Sequence, residues 1–512
     1  MIRKSGINWA ILAIVLAGLM LRLHQLARHD FWADEVLTIE IASGVYSGQG
    51  QAFYHSAVEK NPPFYYALIR QWLHLFGPGE FSLRFFSVLF SVLAVFFIYK
   101  LGVLFFDKVI ALIAAGLIAF SPFQVWYAQE ARMFSLAVFL SCISLYFFFK
   151  ALQEENRINW AGYFISSLGL IFTVYYAFLL FIPQLAIVLC AYRKSFLRWF
   201  FSAGLAVLIF VFSALPRFIT QFRDLQSNFW VPHFSSPQVI PASLSYFILG
   251  YNAGKIAYWL VIFVLGVLFF SALLKKKKQR AEIFFLLLFI VPVCTVFLLA
   301  KFIAPVYLNR QLIIFSPFLY LFLASGIVAL KQTWLRLGVL AVFVILLANA
   351  LFSYYADKPV DGNQAELVFL KKPVQPLVKL FLSQRGDANA IGFANLGLAI
   401  TFKHYLWEEG KDFTRLKRFY FYEKGGDPYL EKYLPKMERE DFIAAGHYNV
   451  DINSVDLKKY GITDIWVFFT SWQRDGSLSP NDSAVKAWFD QHYPRLKEFY
   501  LDGVKVVVYQ LR

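Results

Sequence analysis

Residues 28–40 read Arg-His-Asp-Phe-Trp-Ala-Asp-Glu-Val-Leu-Thr-Ile-Glu, directly after one apolar run (Asn8–Leu26) and well before the next (Leu83–Phe106). A spanning helix needs about 20 mostly apolar residues, so the two runs read as membrane spans and the charged connection as a surface loop. The same loop, residues 27–82, continues with Phe53-Tyr54-His55-Ser56 and Lys60-Asn61-Pro62-Pro63-Phe64-Tyr65-Tyr66, and Arg84 stands at the mouth of the second span. Acid, base and aromatic groups gathered at a membrane surface, in a chain otherwise apolar, point to chemistry on a lipid-linked substrate.

The rest of the chain supports that frame. It is 59% hydrophobic and 16% charged, with a mean hydropathy of +0.55; soluble globules average about 45–50% and about 25%. About eleven apolar segments are legible. Besides the first two they are Val109–Phe120, Phe134–Phe149, Trp160–Val174, Phe178–Tyr192, Trp199–Leu215, Ala257–Leu274, Ile283–Leu299, Leu312–Leu330 and Leu337–Phe352. No small-residue cleavage site follows the first, so it reads as an uncleaved span. Arg3-Lys4, Arg193-Lys194 with Arg198, Lys275 to Lys278 with Arg280, and Lys331 with Arg336 fall in alternate loops. The positive-inside rule then puts the N-terminus in the cytoplasm and the loop 27–82 outside. The 121–132, 216–238 and 301–310 loops, and everything after the last span, fall on that same outer side.

From residue 354 the composition turns soluble. Ala390–Ala394, Arg415–Tyr422, Ile462–Thr470, Leu496–Leu501 and Val504–Gln510 read as strands, with Asp502-Gly503 as a hairpin turn. Ser483–Tyr493 reads as a helix with an Asn/Asp/Ser cap. The expected fold is therefore mostly α: a polytopic helical bundle over 1–353 and an extracytoplasmic α/β domain over 354–512. The net charge of +16 lies in short clusters rather than on a basic, aromatic-interleaved face, which argues against nucleic acid. The three cysteines, Cys142, Cys190 and Cys294, fall inside apolar segments and read as packing residues.

Six groups of residues are candidates for chemistry. Asp34 and Glu35 form an acidic pair just past the first span; they read either as a helix start or as a general base in a surface cavity, with at most one facing substrate. Lys60 and Asn61 precede a Pro-Pro helix start, where backbone N–H groups favour an anion such as phosphate; Tyr65 follows as an interfacial aromatic. Glu130 and Arg132 precede one span, Arg84 another, and Tyr307 with Arg310 a third. Each cation reads as a snorkelling residue or as a phosphate ligand. His55 and Glu59, four residues apart, are a weak candidate for a divalent metal if helical. No Walker loop, GxGxxG or GxSxG occurs, so no nucleotide cofactor is called for.

The ordered set resembles a known family. Asp34-Glu35 after the first span, Pro62-Pro63-Phe64-Tyr65-Tyr66, Ser82-Leu83-Arg84-Phe85-Phe86-Ser87, and Tyr127-Ala128-Gln129-Glu130-Ala131-Arg132-Met133-Phe134-Ser135 recur in bacterial members of the protein-O-mannosyltransferase-like, GT-C superfamily of membrane glycosyltransferases. That group includes the lipid A aminoarabinose transferase and the rhizobial core galacturonosyltransferases. The resemblance runs from about Asn8 to Leu330. It implies transfer of a sugar from a polyprenyl-phosphate donor to a lipid, glycan or protein acceptor at the outer face of the inner (plasma) membrane. Asp34 would match the family's first-loop acid, with Glu35 beside it, and Lys60, Arg84, Arg132 and Arg310 would hold the lipid phosphate. This chain has Asn61 where many relatives have His or Lys, and Gln311 where many have Tyr.

The donor is already activated, so no ATP site is needed. The competing readings are a transporter or flippase of a lipid-linked or anionic substrate, and a non-catalytic assembly protein. A transporter keeps its polar groups midway through spans, often with broken helices; here they gather at span mouths.

Overall fold

The computed structural model describes residues 9–43, 61–228, 237–273, 280–358, 373–385, 390–410, 416–422, 447–452, 456–470, 478, 480–501 and 504–511. The chain forms two compact units: Met1–Leu26, Ala57–Ser227 and Val231–Asp361 make the first, and Ala27–Ser56, Asn228–Trp230 and Gly362–Arg512 the second.

The first unit is a helical bundle. It opens with α1 (Trp9–Leu23); α2 (Ala33–Ser43) belongs to the second unit. Then come α3 (Phe64–Phe76), α4 (Glu80–Phe105), α5 (Lys108–Phe120), α6 (Pro122–Ala128), α7 (Phe134–Glu154), α8 (Arg157–Ile171) and α9 (Phe181–Ala191). The bundle continues through α10 (Phe196–Asn228), α11 (Val239–Leu249), α12 (Lys255–Leu273), α13 (Arg280–Phe302), α14 (Ser316–Ala329) and α15 (Thr333–Tyr355). Among the described residues seven helical segments are long and apolar enough to cross a membrane, or eight if the bent pair α5–α6 is one span. Trp9–Leu23, Tyr175–Ala191 and Val239–Leu249 are shorter apolar helices. The membrane-bundle expectation holds, while a count of eleven rests on including shorter pieces.

Local sequence explains the breaks. Asp107 starts α5 by accepting from the Ile110 amide at 2.9 Å, and Asn156 starts α8 by accepting from Ile158 at 2.8 Å. Ser121 caps α6 and Pro122 supplies its first turn, so the chain bends by 56° between α5 and α6. Gly250 ends α11 at φ +69°, where a Cβ would lie 3.2 Å from Pro122; the position needs glycine both for its backbone angle and for the close approach to α6. Arg22 is fully buried and ties the bend to α1, donating to Ser91 Oγ and to the carbonyls of Gly18, Ala119 and Ile118.

The second unit is an α/β domain. Its elements are α2, α16 (Gln375–Gln384), β1 (Ala390–Phe393), α17 (Leu396–Glu408), β2 (Lys417–Tyr422), β3 (His447–Asp451), β4 (Asp464–Thr470), α18 (Pro480–His492), β5 (Arg495–Leu501) and β6 (Val504–Gln510). The sheet order is β3-β2-β1-β4-β6-β5. The first four strands are parallel, and β6 pairs antiparallel with both β4 and β5. Parallel strands are covered on both faces, and β1 is buried at every position as that rule requires. Phe419, Phe421, Ile465, Val467, Phe469, Phe489 and Tyr509 fill one side of the sheet.

Two details differ from the sequence reading. β3 is absent from the strands read in the sequence: His-Tyr-Asn-Val-Asp alternates, but with only Tyr448 and Val450 apolar over five residues the signal is short. The last helix starts at Pro480 rather than Ser483, and its Asn and Asp bond to the sheet. Asn481 donates to the Ala394 carbonyl at 2.9 Å, and buried Asp482 accepts from the Thr470 amide at 2.8 Å and its hydroxyl at 3.2 Å. Asp482→Ala removes the acceptor of both Thr470 groups and is expected to cost the domain about 1–3 kcal/mol. Urea unfolding followed by tryptophan fluorescence checks it, and an unchanged midpoint would contradict it.

Candidate active site

The turn between α6 and α7, residues 129–133, is only five residues long, yet Gln129, Glu130 and Arg132 in it are buried. Glu130 and Arg132 are 3% and 4% exposed, and Arg84 on α4 is 2% exposed. Ionised side chains in the interior of a membrane bundle are costly and are retained where they have partners and a task. Glu130 Oε1 accepts from Trp126 Nε1 at 2.7 Å, one helical turn back. Arg132 Nη1 reaches the Tyr66 hydroxyl at 3.4 Å, and the Arg132 carbonyl accepts from Ser87. Arg84 Nη1 donates to the Leu26 carbonyl at 3.1 Å.

Tyrosines connect these charges. The Tyr127 and Tyr251 hydroxyls lie 3.1 Å apart, and both stand in the fields of Glu130 and of half-buried Arg310. Tyr354 donates to Gln129 Oε1 at 2.6 Å and lies in the fields of Glu130 and Arg84. Gln129 in turn donates to the carbonyls of Arg22 and His24. Tyr65, fully buried, packs edge-on against Tyr66 and Phe86. Tyr307 shares a hydrogen bond of 2.9 Å with Ser243, which also donates to Asn309. Burial pushes the Tyr307 phenol up to about 12 and raises that of Tyr251 as well, so both stay protonated at neutral pH; Tyr307 donates its proton to Ser243, whereas Tyr251, accepting from Tyr127, can donate to an anion.

Asn61 stands in the Pro-Pro segment that precedes α3. Its Oδ1 accepts from Gln311 Nε2 at 3.3 Å, beside Arg310 in sequence. The two positions at which the chain differs from many members of the family it resembles are therefore bonded to each other. Gln311 Oε1 is buried and has no hydrogen-bond partner among the described residues.

Asn61, Tyr65, Arg84, Glu130, Arg132, Tyr307 and Arg310 all belong to the membrane unit, on the elements that carry this tyrosine network. Asp34 and Glu35 belong to the second unit, in the first turn of α2. They differ there. Glu35 is fully buried and its Oε2 accepts from the Trp32 amide at 3.3 Å, the third-position carboxylate of a capping box. Asp34 is half-buried. Lys60, and the His55 and Glu59 pair, lie outside the described residues. Among the described residues no group of three or more His, Cys, Asp or Glu could hold a metal. The sequence reading missed Tyr127, Gln129, Ser243, Tyr251 and Tyr354. Gln129 adjoins the charged pair Glu130 and Arg132, and that adjacency was the available signal for it; the tyrosines carry no such signal.

Residues 60–216 match the dolichyl-phosphate-mannose-protein mannosyltransferase family. No curated protein sequence matches the chain. Among solved structures it is similar to ArnT from Cupriavidus metallidurans bound to undecaprenyl phosphate, at 13% identity and a TM-score of 0.57 over 98% of each chain. The apo state of that protein gives 12% identity and the same TM-score. The archaeal oligosaccharyltransferase AglB from Archaeoglobus fulgidus, in complex with an inhibitory peptide and a dolichol-phosphate, matches at 11% identity and a TM-score of 0.50, covering 98% of this chain and 74% of that one. The chain thus has an ArnT-like, GT-C-type fold over nearly its whole length and resembles the mannosyltransferase family in sequence over residues 60–216.

Proposed function

We propose that the chain is an integral membrane glycosyltransferase that moves a sugar from a polyprenyl-phosphate donor to an acceptor at the outer face of the cytoplasmic membrane. The N-terminus lies in the cytoplasm and the α/β domain outside. The observation that carries the reading is the buried Arg84, Arg132 and Glu130 tied into a tyrosine network with Arg310. Undecaprenyl phosphate in ArnT and dolichol-phosphate in AglB support the choice of donor.

In this reading the acceptor hydroxyl attacks the anomeric carbon, the bond from that carbon to the phosphate oxygen breaks, and the electron pair leaves with the polyprenyl phosphate. Asp34 takes the hydroxyl proton. Arg132, Arg310, Arg84 and Lys60 stabilise the charge that develops on the leaving phosphate, the kind of contribution that is usually largest in a dry site. Tyr251 donates to the same anion. Glu130 holds Trp126, and Gln311 Oε1 accepts from a sugar hydroxyl. The reaction needs no metal or at most depends weakly on one, so chelator in the assay lowers the rate little. The acceptor is a lipid, a glycan or a protein.

The bent pair α5–α6 is a feature that a transporter or flippase would share. Its freed carbonyls are held by Arg22 rather than lining a cavity for an ion, which favours the transferase.

The test is transfer in vesicles from a radiolabelled polyprenyl-phosphate sugar, with mass analysis of envelope glycans to name sugar and acceptor together. Arg132→Ala and Arg310→Ala are each expected to lower kcat/KM for the donor by about 10²–10³-fold, the range for loss of one charge-stabilising donor. Arg132→Lys keeps the charge but not the planar fork, and is expected to fall between. Transfer independent of any polyprenyl-phosphate donor would overturn the proposal.

A further inference from the structure

The helix that carries Asp34 is bonded to the C-terminal domain on both sides of that residue. Four residues before it, Asp30 Oδ2 accepts from the amides of Val374 and Gln375 at 2.6 and 2.8 Å, capping the N-terminus of α16 from 344 positions away. Three residues before it, the Phe31 amide donates to the Tyr405 hydroxyl at 2.6 Å, and Tyr405 is 2% exposed. Six residues after it, Glu40 pairs with Lys403 at 3.3 Å. Tyr405 and Lys403 both lie on α17, which packs along α2. Arg418 on β2 is buried and its charge acts on Lys403. Glu40 therefore sits among cations that would otherwise repel each other.

An isolated helix shorter than about 12–15 residues is marginal in water. α2 has 11 residues. It owes its order to what it packs on, and here that is the α/β domain.

We propose that the C-terminal domain is the positioning element of the reaction: through Asp30, Tyr405 and the Glu40–Lys403 pair it fixes α2 and so fixes where Asp34 stands. The inference rests on the reading above, in which Asp34 receives the acceptor proton. It gives the domain a task within the transfer step and makes Tyr405 and Lys403 positioning residues rather than catalytic ones. A misplacement of about 1 Å costs roughly 10²-fold in rate, so partial loosening is expected to cost about tenfold.

Tyr405→Phe keeps the ring and removes only the hydroxyl; Lys403→Ala removes the ion pair. Each full-length variant in vesicles is expected to lose about tenfold in kcat with the donor KM within about twofold. The exchange of Glu40→Lys with Lys403→Glu is expected to recover part of that loss. Amide hydrogen exchange needs no substrate, and over residues 33–43 it is expected to speed up in the single variants while β1 and β4 stay protected. Unchanged exchange in α2 would overturn the clamp. Faster exchange with kcat unchanged would overturn its role in positioning. A wild-type protein that transfers no sugar from polyprenyl-phosphate donors would overturn the function itself, an outcome that the exchange measurements keep distinct.

Discussion

Asp34→Asn is expected to lower kcat for sugar transfer by about 10²–10⁴-fold, the range for losing a positioned general base, while leaving the donor KM nearly unchanged. Asparagine preserves the size of the side chain and its place in the first turn of α2, so the helix should form as before. What it removes is the carboxylate that receives the acceptor's proton. The control is the neighbouring acid. Glu35 is fully buried and caps its own helix through the Trp32 amide, so Glu35→Gln, which keeps a capping oxygen, is expected to change kcat by less than about tenfold. Glu35→Ala removes the cap and is expected to cost about 1 kcal/mol in local stability. Steady-state transfer with purified variants in vesicles separates the two acids. A fully active Asp34→Asn enzyme, or a Glu35→Gln enzyme as impaired as Asp34→Asn, would sink the assignment.

That contrast shows how far the sequence could be read. Adjacent acids on a helix point about 100° apart, so it was legible that one of the pair serves structure; which one was not, because the capping bond of Glu35 is a matter of three-dimensional turn geometry. The bundle was legible from runs of apolar residues, since a bilayer leaves a spanning backbone few options. The cations at span mouths were legible for the same reason: a charge in that setting is rare enough to notice. The tyrosines around them were less so. Aromatic residues make up 19% of the chain, and nothing in one sequence separates Tyr127 and Tyr251, which meet across 124 positions, from tyrosines that only fill space. The bond between Asn61 and Gln311, 250 positions apart, was out of reach for the same reason. The first-loop helix is the largest surprise. Its sequence position assigns it to the membrane half, but it groups with the C-terminal domain and packs along α17, more than 350 residues later.

Arg22→Met is expected to destabilise the membrane bundle by about 2–6 kcal/mol, enough to deplete folded protein at growth temperature. The guanidinium donates to Ser91 Oγ at 2.8 Å and to three carbonyls: Gly18 at 2.9 Å, Ala119 at 2.8 Å and Ile118 at 3.1 Å. Ile118 and Ala119 belong to the last turn of α5, where the chain bends into α6 and the helical ladder no longer supplies acceptors with donors. In water such carbonyls would be solvated at little cost. Inside a bilayer no water replaces the lost donor, and each buried group left unmade costs about 1–3 kcal/mol; two of them set the range. The positive charge also faces the negative end of the α5 dipole, which adds to the loss when it is removed. Methionine fills the volume without supplying a donor, so the effect is one of bonding and charge rather than of a cavity. Arg22→Lys keeps the charge but cannot reach four acceptors at once and is expected to fall midway. The bend also leads into the turn that holds Gln129, whose amide donates to the Arg22 carbonyl at 2.9 Å, and on to Glu130 and Arg132. Surviving Arg22→Met protein should therefore transfer sugar poorly as well as unfold early. Thermal unfolding in detergent, read by size-exclusion recovery after heating, measures the first effect and vesicle transfer per folded molecule the second. A variant as heat-stable as wild type would mean that the α5–α6 bend holds itself without the arginine.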